Sequence, residues 1–253
     1  MEHTPAPFTT SQKVYLWITA IACTCLVVAD IVGVKLFTFP MGFGIPVPWE
    51  KEPIRAVTHT CGMLTFPITF IATDVLNEFY GKKAARRVVY ICFAMAFLAF
   101  IVLNVAQAMP RLDAPYNVRE EAFNHIFGGA KIMYVASLAA YVVGSVADIV
   151  MFAWIKWATK GKMVWLRATG STVVSQFIDS FIVSYIAFSL GRRLFPSDGP
   201  PPADFAEVLR IAGTGYLLKF TIAIASTPLI YLIKGSMTRW LGMKPLPPER
   251  AIG

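Results

Sequence analysis

The chain has 253 residues, 56% of them hydrophobic and 15% charged, and a net charge of +8 with three histidines and four cysteines. Soluble domains average roughly 45–50% apolar and about 25% charged residues, so this balance excludes an ordinary soluble globule and indicates an all-α, polytopic membrane protein. The positive charge is not a nucleic-acid footprint, because the bases sit in short segments between apolar runs, where the positive-inside rule accounts for them.

The start, MEHTPAPFTTSQK, is polar, and the first apolar run is long enough to span, so no cleavable signal is expected. Six spans are read at 14–36, 56–79, 85–109, 131–157, 164–190 and 207–234, each near the ~20 residues a bilayer core requires. Short connections make 1–253 one integral membrane domain. The first connection, FTFPMGFGIPVPWEKEPIR at 37–55, is dense in Gly and Pro and reads as a turn-rich loop with Trp49 at the interface. Residues 110–130 are amphipathic and carry Arg119, Glu120, Glu121 and His125, so a short interfacial helix is expected there, with no special role for the histidine. Cys23, Cys25, Cys61 and Cys92 lie within apolar runs and read as small core residues.

Counting bases orients the spans. The N-terminus, the second and fourth connections and the C-terminus together hold 13 Lys and Arg, against 9 in the other segments, so both termini are expected in the cytoplasm. The tetrapeptide ADIV occurs at 29–32 and again at 147–150, late in the first and fourth spans. Two inverted three-helix repeats would place it so, although a four-residue match arises readily by chance in a chain this rich in Ala, Val and Ile.

Acids inside apolar spans carry the functional signal, since a carboxylate at bilayer depth is costly and faces a bundle interior or a wet cavity. In the second span Asp74, Asn77 and Glu78 share one helical face, and Glu78, beside Lys82, is expected to order the loop or gate. In the fifth, Arg167, Ser171, Ser175 and Asp179 recur every four residues with Gln176 beside them, a stripe with Arg167 at its mouth. Asp179 and Gln176 combine an acceptor-only group with a mixed donor and acceptor, and are expected to be the principal substrate readers. The sixth span contributes Lys219, expected to pair with Asp74, Asp148 or Asp179 or to touch substrate, with Thr227 and Tyr231 on its face and Pro228 expected to kink the helix. Asp30 and Asp148 complete the acids. No H-E-x-x-H, G-x-S-x-G or phosphate-cradling glycine loop is present, so neither catalysis, a metal nor a cofactor is indicated.

The run TDVLNEFYGKKAARRVVY resembles the hallmark of the queuosine-precursor transporters, also called the vitamin uptake transporter family. VADIVGVKLF at 28–37, FPITF at 66–70, WLRATGSTVVSQFIDSF at 165–181 and K-x7-T-P-x-x-Y from Lys219 to Tyr231 extend the likeness through most of the chain. It departs at Asp30, where the family commonly has Asn, and at Ser145, where Gln is frequent. The resemblance implies inner-membrane uptake of a 7-deazapurine such as 7-cyano-7-deazaguanine or its aminomethyl form. A guanine-like edge presents N–H donors to a carboxylate and a carbonyl and amide to Gln or Asn, with Phe66, Phe70, Phe177 and Tyr231 as a stacking wall. The alternative is a substrate-binding membrane subunit that depends on a separate energising ATPase module. The partners expected are the small-molecule substrate and the lipid bilayer, with a homo-oligomer left open.

Overall fold

In the computed structural model, residues 7–46, 48, 52–127, 131–194 and 201–247 are described. Helix α1 (Thr10–Val32) starts on a capping box in which Thr9 and Gln12 satisfy each other's backbone and side-chain groups. An antiparallel hairpin of β1 (Leu36–Ile45) and β2 (Ile54–Thr60) follows, then a 3-10 turn at Cys61–Leu64. Next come α2 (Phe66–Phe79), α3 (Gly81–Ala108), the short α4 (Glu120–Phe127), α5 (Lys131–Ala158) and α6 (Val164–Ser184). A π-helical turn at Tyr185–Leu190 leads from α6 into α7 (Gly191–Leu194), and α8 (Phe205–Trp240) runs unbroken through Pro228.

Among the described residues, five helices are long and apolar enough to cross a membrane: α1, α3, α5, the continuous stretch Val164–Leu194, and α8. The expected second span is the exception. Its first third is strand and 3-10 turn, and the helix proper has 14 residues, about 21 Å at 1.5 Å per residue, short of the ~30 Å hydrocarbon core. Pro67 in the first turn gives the reason, since it lacks the N–H that a continuing helix would use and is suited to a helix start. The expected loop at 37–55 is largely this hairpin, and Trp49 lies outside the described residues. The short helix anticipated within 110–130 is α4; the side chain of His125 lies outside the description.

Helix α2 is enclosed by the longer ones, and its sequence reads as three stripes. Ala72 and Leu76 join Ala22 and Leu26 of α1 and Ala85, Val88 and Val89 of α3 in one apolar cluster. Ile71, Val75 and Phe79 pack with Ala168 of α6 and Ile230 and Met237 of α8 in another. Asp74, Asn77 and Glu78 occupy the remaining face, all buried. Lipid is as apolar as leucine, so helices here are held by close packing and polar contacts rather than by escape from water. Helix α5 shows how: Ala136, Ala140 and Gly144 are succeeded at the same spacing of four by Asp148, Phe152 and Lys156, forming a slowly winding stripe. A Cβ on Gly144 would sit 3.1 Å from the Cβ of Asp179, so glycine is what lets α5 and α6 approach there. Trp17, Leu98, Val102, Trp154 and Leu232 lie on the outside, as lipid-facing positions should.

Chain direction follows from contacts. Tyr80 donates to the Ser11 carbonyl at 2.7 Å and Tyr15 to that of Ala84 at 3.3 Å, which sets the start of α1 beside the end of α2. Thr65, before α2, donates to the Cys25 carbonyl at 3.1 Å, toward the other end of α1. The starts of α1, α3 and α6 and the finishes of α2, α5 and α8 therefore share one end, here the basic end. Of the four cysteines, all free, Cys23 of α1 and Cys92 of α3 are neighbours, Sγ to Sγ 3.1 Å.

Candidate functional site

Three polar tiers cross the bundle. At the basic end a single carboxylate holds three cations. Glu78 Oε1 accepts from Arg167 Nη2 at 2.5 Å and from Lys234 Nζ at 2.6 Å, while Oε2 lies 3.1 Å from Lys156 Nζ. Arg167 is 1% exposed and Lys156 6%, so both charges are out of water. The expectation that Arg167 opens a stripe on α6 is thus refined: its guanidinium turns to α2, stacks over Phe152 at 5.7 Å and donates to the Gly161 carbonyl at 2.8 Å. That last bond braces the α5–α6 turn, where Lys160, Gly161 and Met163 all have positive φ. The main-chain carbonyl of Glu78 accepts from Lys156 Nζ at 3.3 Å and from the Leu246 N–H at 2.9 Å, so the C-terminal segment also docks on this end.

The middle tier is acidic and hydroxylic. Asp148 is 2% exposed and accepts from Ser175 Oγ at 3.1 Å, while the nearby hydroxyls of Ser171 and Thr172 donate to the Ala168 carbonyl. Asp74 lies within the field of Asp148, and its Oδ1 is buried without a hydrogen-bond partner. Gln176 is buried beside Ser175 with its Oε1 likewise unpartnered, and Asn77 Nδ2 donates to the Ile149 carbonyl at 3.4 Å. Asp148, which from sequence ranks below Asp74 and Asp179, is therefore as deeply placed as either.

The third tier lies toward the hairpin. Lys219 chooses Asp179 among its three candidate acids and stands 5.4 Å above the ring of Phe66, which packs edge-on against Phe70. Asp179, expected to read substrate, is occupied by this ion pair. His59 of β2 is near both charges; burial first and then the Lys219 charge push its pKa down to about 4, and its Nδ1 accepts from the Thr60 N–H. Thr227 shares a hydrogen bond with Thr169 at 3.0 Å, and the half-exposed Tyr231 accepts from the Trp165 N–H at 3.1 Å. Phe177, 47% exposed, turns outward against Tyr216, so neither it nor Tyr231 lines the acidic tier. Asp30 stands apart between α1 and α5, accepting from Ser137 Oγ at 2.9 Å.

A narrow crevice lies between α2, α5, α6 and α8, lined by Asp74, Glu78, Phe152, Val164, Ile230 and Lys234 among others. Phe152, Lys156 and Lys234 are the residues that sequence reasoning missed, the lysines having been assigned to loops. The signal was available: 148, 152 and 156 repeat the four-residue spacing used on α6. Among the described residues no three His, Cys, Asp or Glu converge as a metal site.

A family model described as "Putative vitamin uptake transporter" matches residues 60–233. Two curated relatives are named "Probable queuosine precursor transporter". That of Bacillus subtilis is 33% identical over 70% of this chain and 72% of its own length. That of Haemophilus influenzae is 29% identical over 59% and 60%. The "Queuosine precursor transporter" of Escherichia coli is 28% identical over 65% of this chain and 67% of its own. No solved structure matches.

Proposed function

Since this chain belongs to the vitamin uptake transporter family, a family of transporters rather than enzymes, we propose that it imports a queuosine precursor of the 7-deazapurine class, such as 7-cyano-7-deazaguanine, across the inner membrane. The carrying observation is the middle tier, where buried acceptors on Asp148 and Gln176, the latter without a donor, stand beside Asp74 and Asn77. A guanine-like base offers the missing donors in its ring N–H and exocyclic amine, and its carbonyl suits a donor such as Asn77. Phe152, buried at the cleft wall, is the aromatic placed to stack on it. In this reading the Lys219–Asp179 pair and the Glu78 cluster are the two closures on either side of the base, so Lys219, Asp179, Glu78 and Arg167 bear on rate, and Ser175 positions Asp148. The chain makes six passes with both termini cytoplasmic, supported by the base count and by the shared end of α1 and α8.

The test is rescue of queuosine in tRNA in cells that can neither make nor import the precursor, feeding deazapurines one at a time. Rescue that depends on this chain and is lost on Gln176→Ala or Asp148→Asn, with membrane levels unchanged, supports the reading. Rescue untouched by both variants overturns the site, and no rescue by any deazapurine overturns the substrate. Repeating the assay in a host without energising ATPase modules separates an autonomous carrier from an ATPase-dependent subunit.

A further inference from the structure

We propose that Asp74 binds a co-transported proton, making this a proton–substrate symporter; the inference rests on the transport reading above. The buried acids of the bundle differ in what compensates them. Glu78 has three cations, Asp179 has Lys219, Asp148 has the hydroxyl of Ser175 and Asp30 that of Ser137. Asp74, 3% exposed, has an oxygen with no donor at all. An ionised carboxylate there would be both desolvated and uncompensated, which a bilayer-depth site does not tolerate. A neutral carboxylic acid removes that uncompensated charge.

The groups facing Asp74 come from every neighbouring element. Helix α5 presents Asp148 and, one tier away, Lys156; α6 presents Arg167; α8 presents Lys234 across the shared cleft; α2 itself presents Glu78 and Asn77. On another face of α2, helices α1 and α3 pack apolar Ala22, Leu26, Val88 and Val89 against Ala72 and Leu76. The acidic neighbours Asp148 and Glu78 oppose a further negative charge, while the cations are committed to Glu78, one helical turn or about 6 Å along α2. Asp74 therefore sits among acidic and neutral groups, with the cations that hold Glu78 one turn away along α2.

Protonation also changes what Asp74 offers a ligand. A carboxylic acid donates one hydrogen bond, so it can serve the ring carbonyl of the base while Asp148 and Gln176 accept its N–H groups. Substrate and proton then bind together rather than compete, and one proton moves inward with each substrate, from Asp74 to water at the far side. Coupled one to one, a gradient of about one pH unit sustains an accumulation ratio of about tenfold.

The full chain, purified and reconstituted in proteoliposomes, is given 7-cyano-7-deazaguanine under an imposed pH gradient with a pH dye inside. Wild type should accumulate substrate, acidify the lumen and lose both with a protonophore. Asp74→Asn should lose pH-driven accumulation and lumen acidification, and whatever substrate counterflow it retains should no longer vary with pH. Accumulation by Asp74→Asn equal to wild type, or wild-type accumulation driven by sodium without proton movement, overturns the proposal. Infrared spectroscopy of the purified protein without substrate gives a second reading: a carboxylic-acid C=O band at neutral pH that vanishes in Asp74→Asn and persists in Asp148→Asn. Absence of that band overturns the proton site. The band together with no counterflow of any deazapurine overturns the substrate reading alone.

Discussion

Replacing Glu78 by Gln tests the architecture at its most heavily charged point. The substitution keeps the shape but removes the only negative charge that, among the described residues, contacts Arg167, Lys156 and Lys234. Arg167 and Lys156 are almost wholly buried, so neither can recover its hydration without local opening. Lys234, whose side chain is 25% exposed, loses less. Removing one partner of a buried ion pair costs about 3–5 kcal/mol, a large share of the 5–15 kcal/mol that typically holds a fold together. At roughly 2–4 °C per kcal/mol for a chain of this length, Tm should fall by about 6–20 °C. Thermal unfolding of purified protein in detergent, followed by the loss of the monodisperse peak, measures it. Adding Lys156→Met to Glu78→Gln should return part of the loss, because one stranded cation goes with it. An unchanged Tm for Glu78→Gln, or no recovery in the double variant, would refute the claim that this carboxylate anchors α2 to α5, α6 and α8. Substrate selectivity should stay as in wild type while the transport rate drops.

Other consequences are simpler to read. Asp179→Asn and Lys219→Met should each destabilise by about 3 kcal/mol, and the double variant should lose less than the sum of the two, a coupling that thermal unfolding of the four proteins will show. His59 titrates near 4 in the fold against about 6.5 unfolded, so between those values the unfolded chain binds more protons and stability falls as pH drops from 6.5 toward 4. His59→Gln should flatten that part of a Tm-versus-pH curve, and a curve of unchanged slope would contradict the burial of the ring. A C-terminal reporter active only in the periplasm should stay silent in intact cells, and a strong signal would invert the topology proposed here.

Helical membrane architecture was legible because its cause is local. An apolar run of the required length must satisfy its backbone internally, and the four-residue spacing of Arg167, Ser171, Ser175 and Asp179 declares a shared face whatever the partner. The polar residues of α2 were legible for the same reason: charge inside an apolar stretch is too costly to be incidental. Partnership is a different kind of property. Nothing in the spacing told Lys219 to take Asp179 rather than Asp74 or Asp148, or Arg167 to leave its own stripe for Glu78, because those choices depend on which helices are adjacent and at what depth. Lys156 and Lys234 look like loop bases when read along the chain, and become buried only where α5 and α8 converge on the end of α2. The shortness of α2 was hidden too, since Ile54–Thr60 is apolar enough to pass for helix until β1 offers it a strand to pair with. Composition and periodicity thus determined what is buried and on which face, both being costs each residue pays alone. Only the tertiary structure decided which charges meet and that Asp74 keeps a buried oxygen without a donor, because compensation is a property of neighbours that sequence distance does not measure.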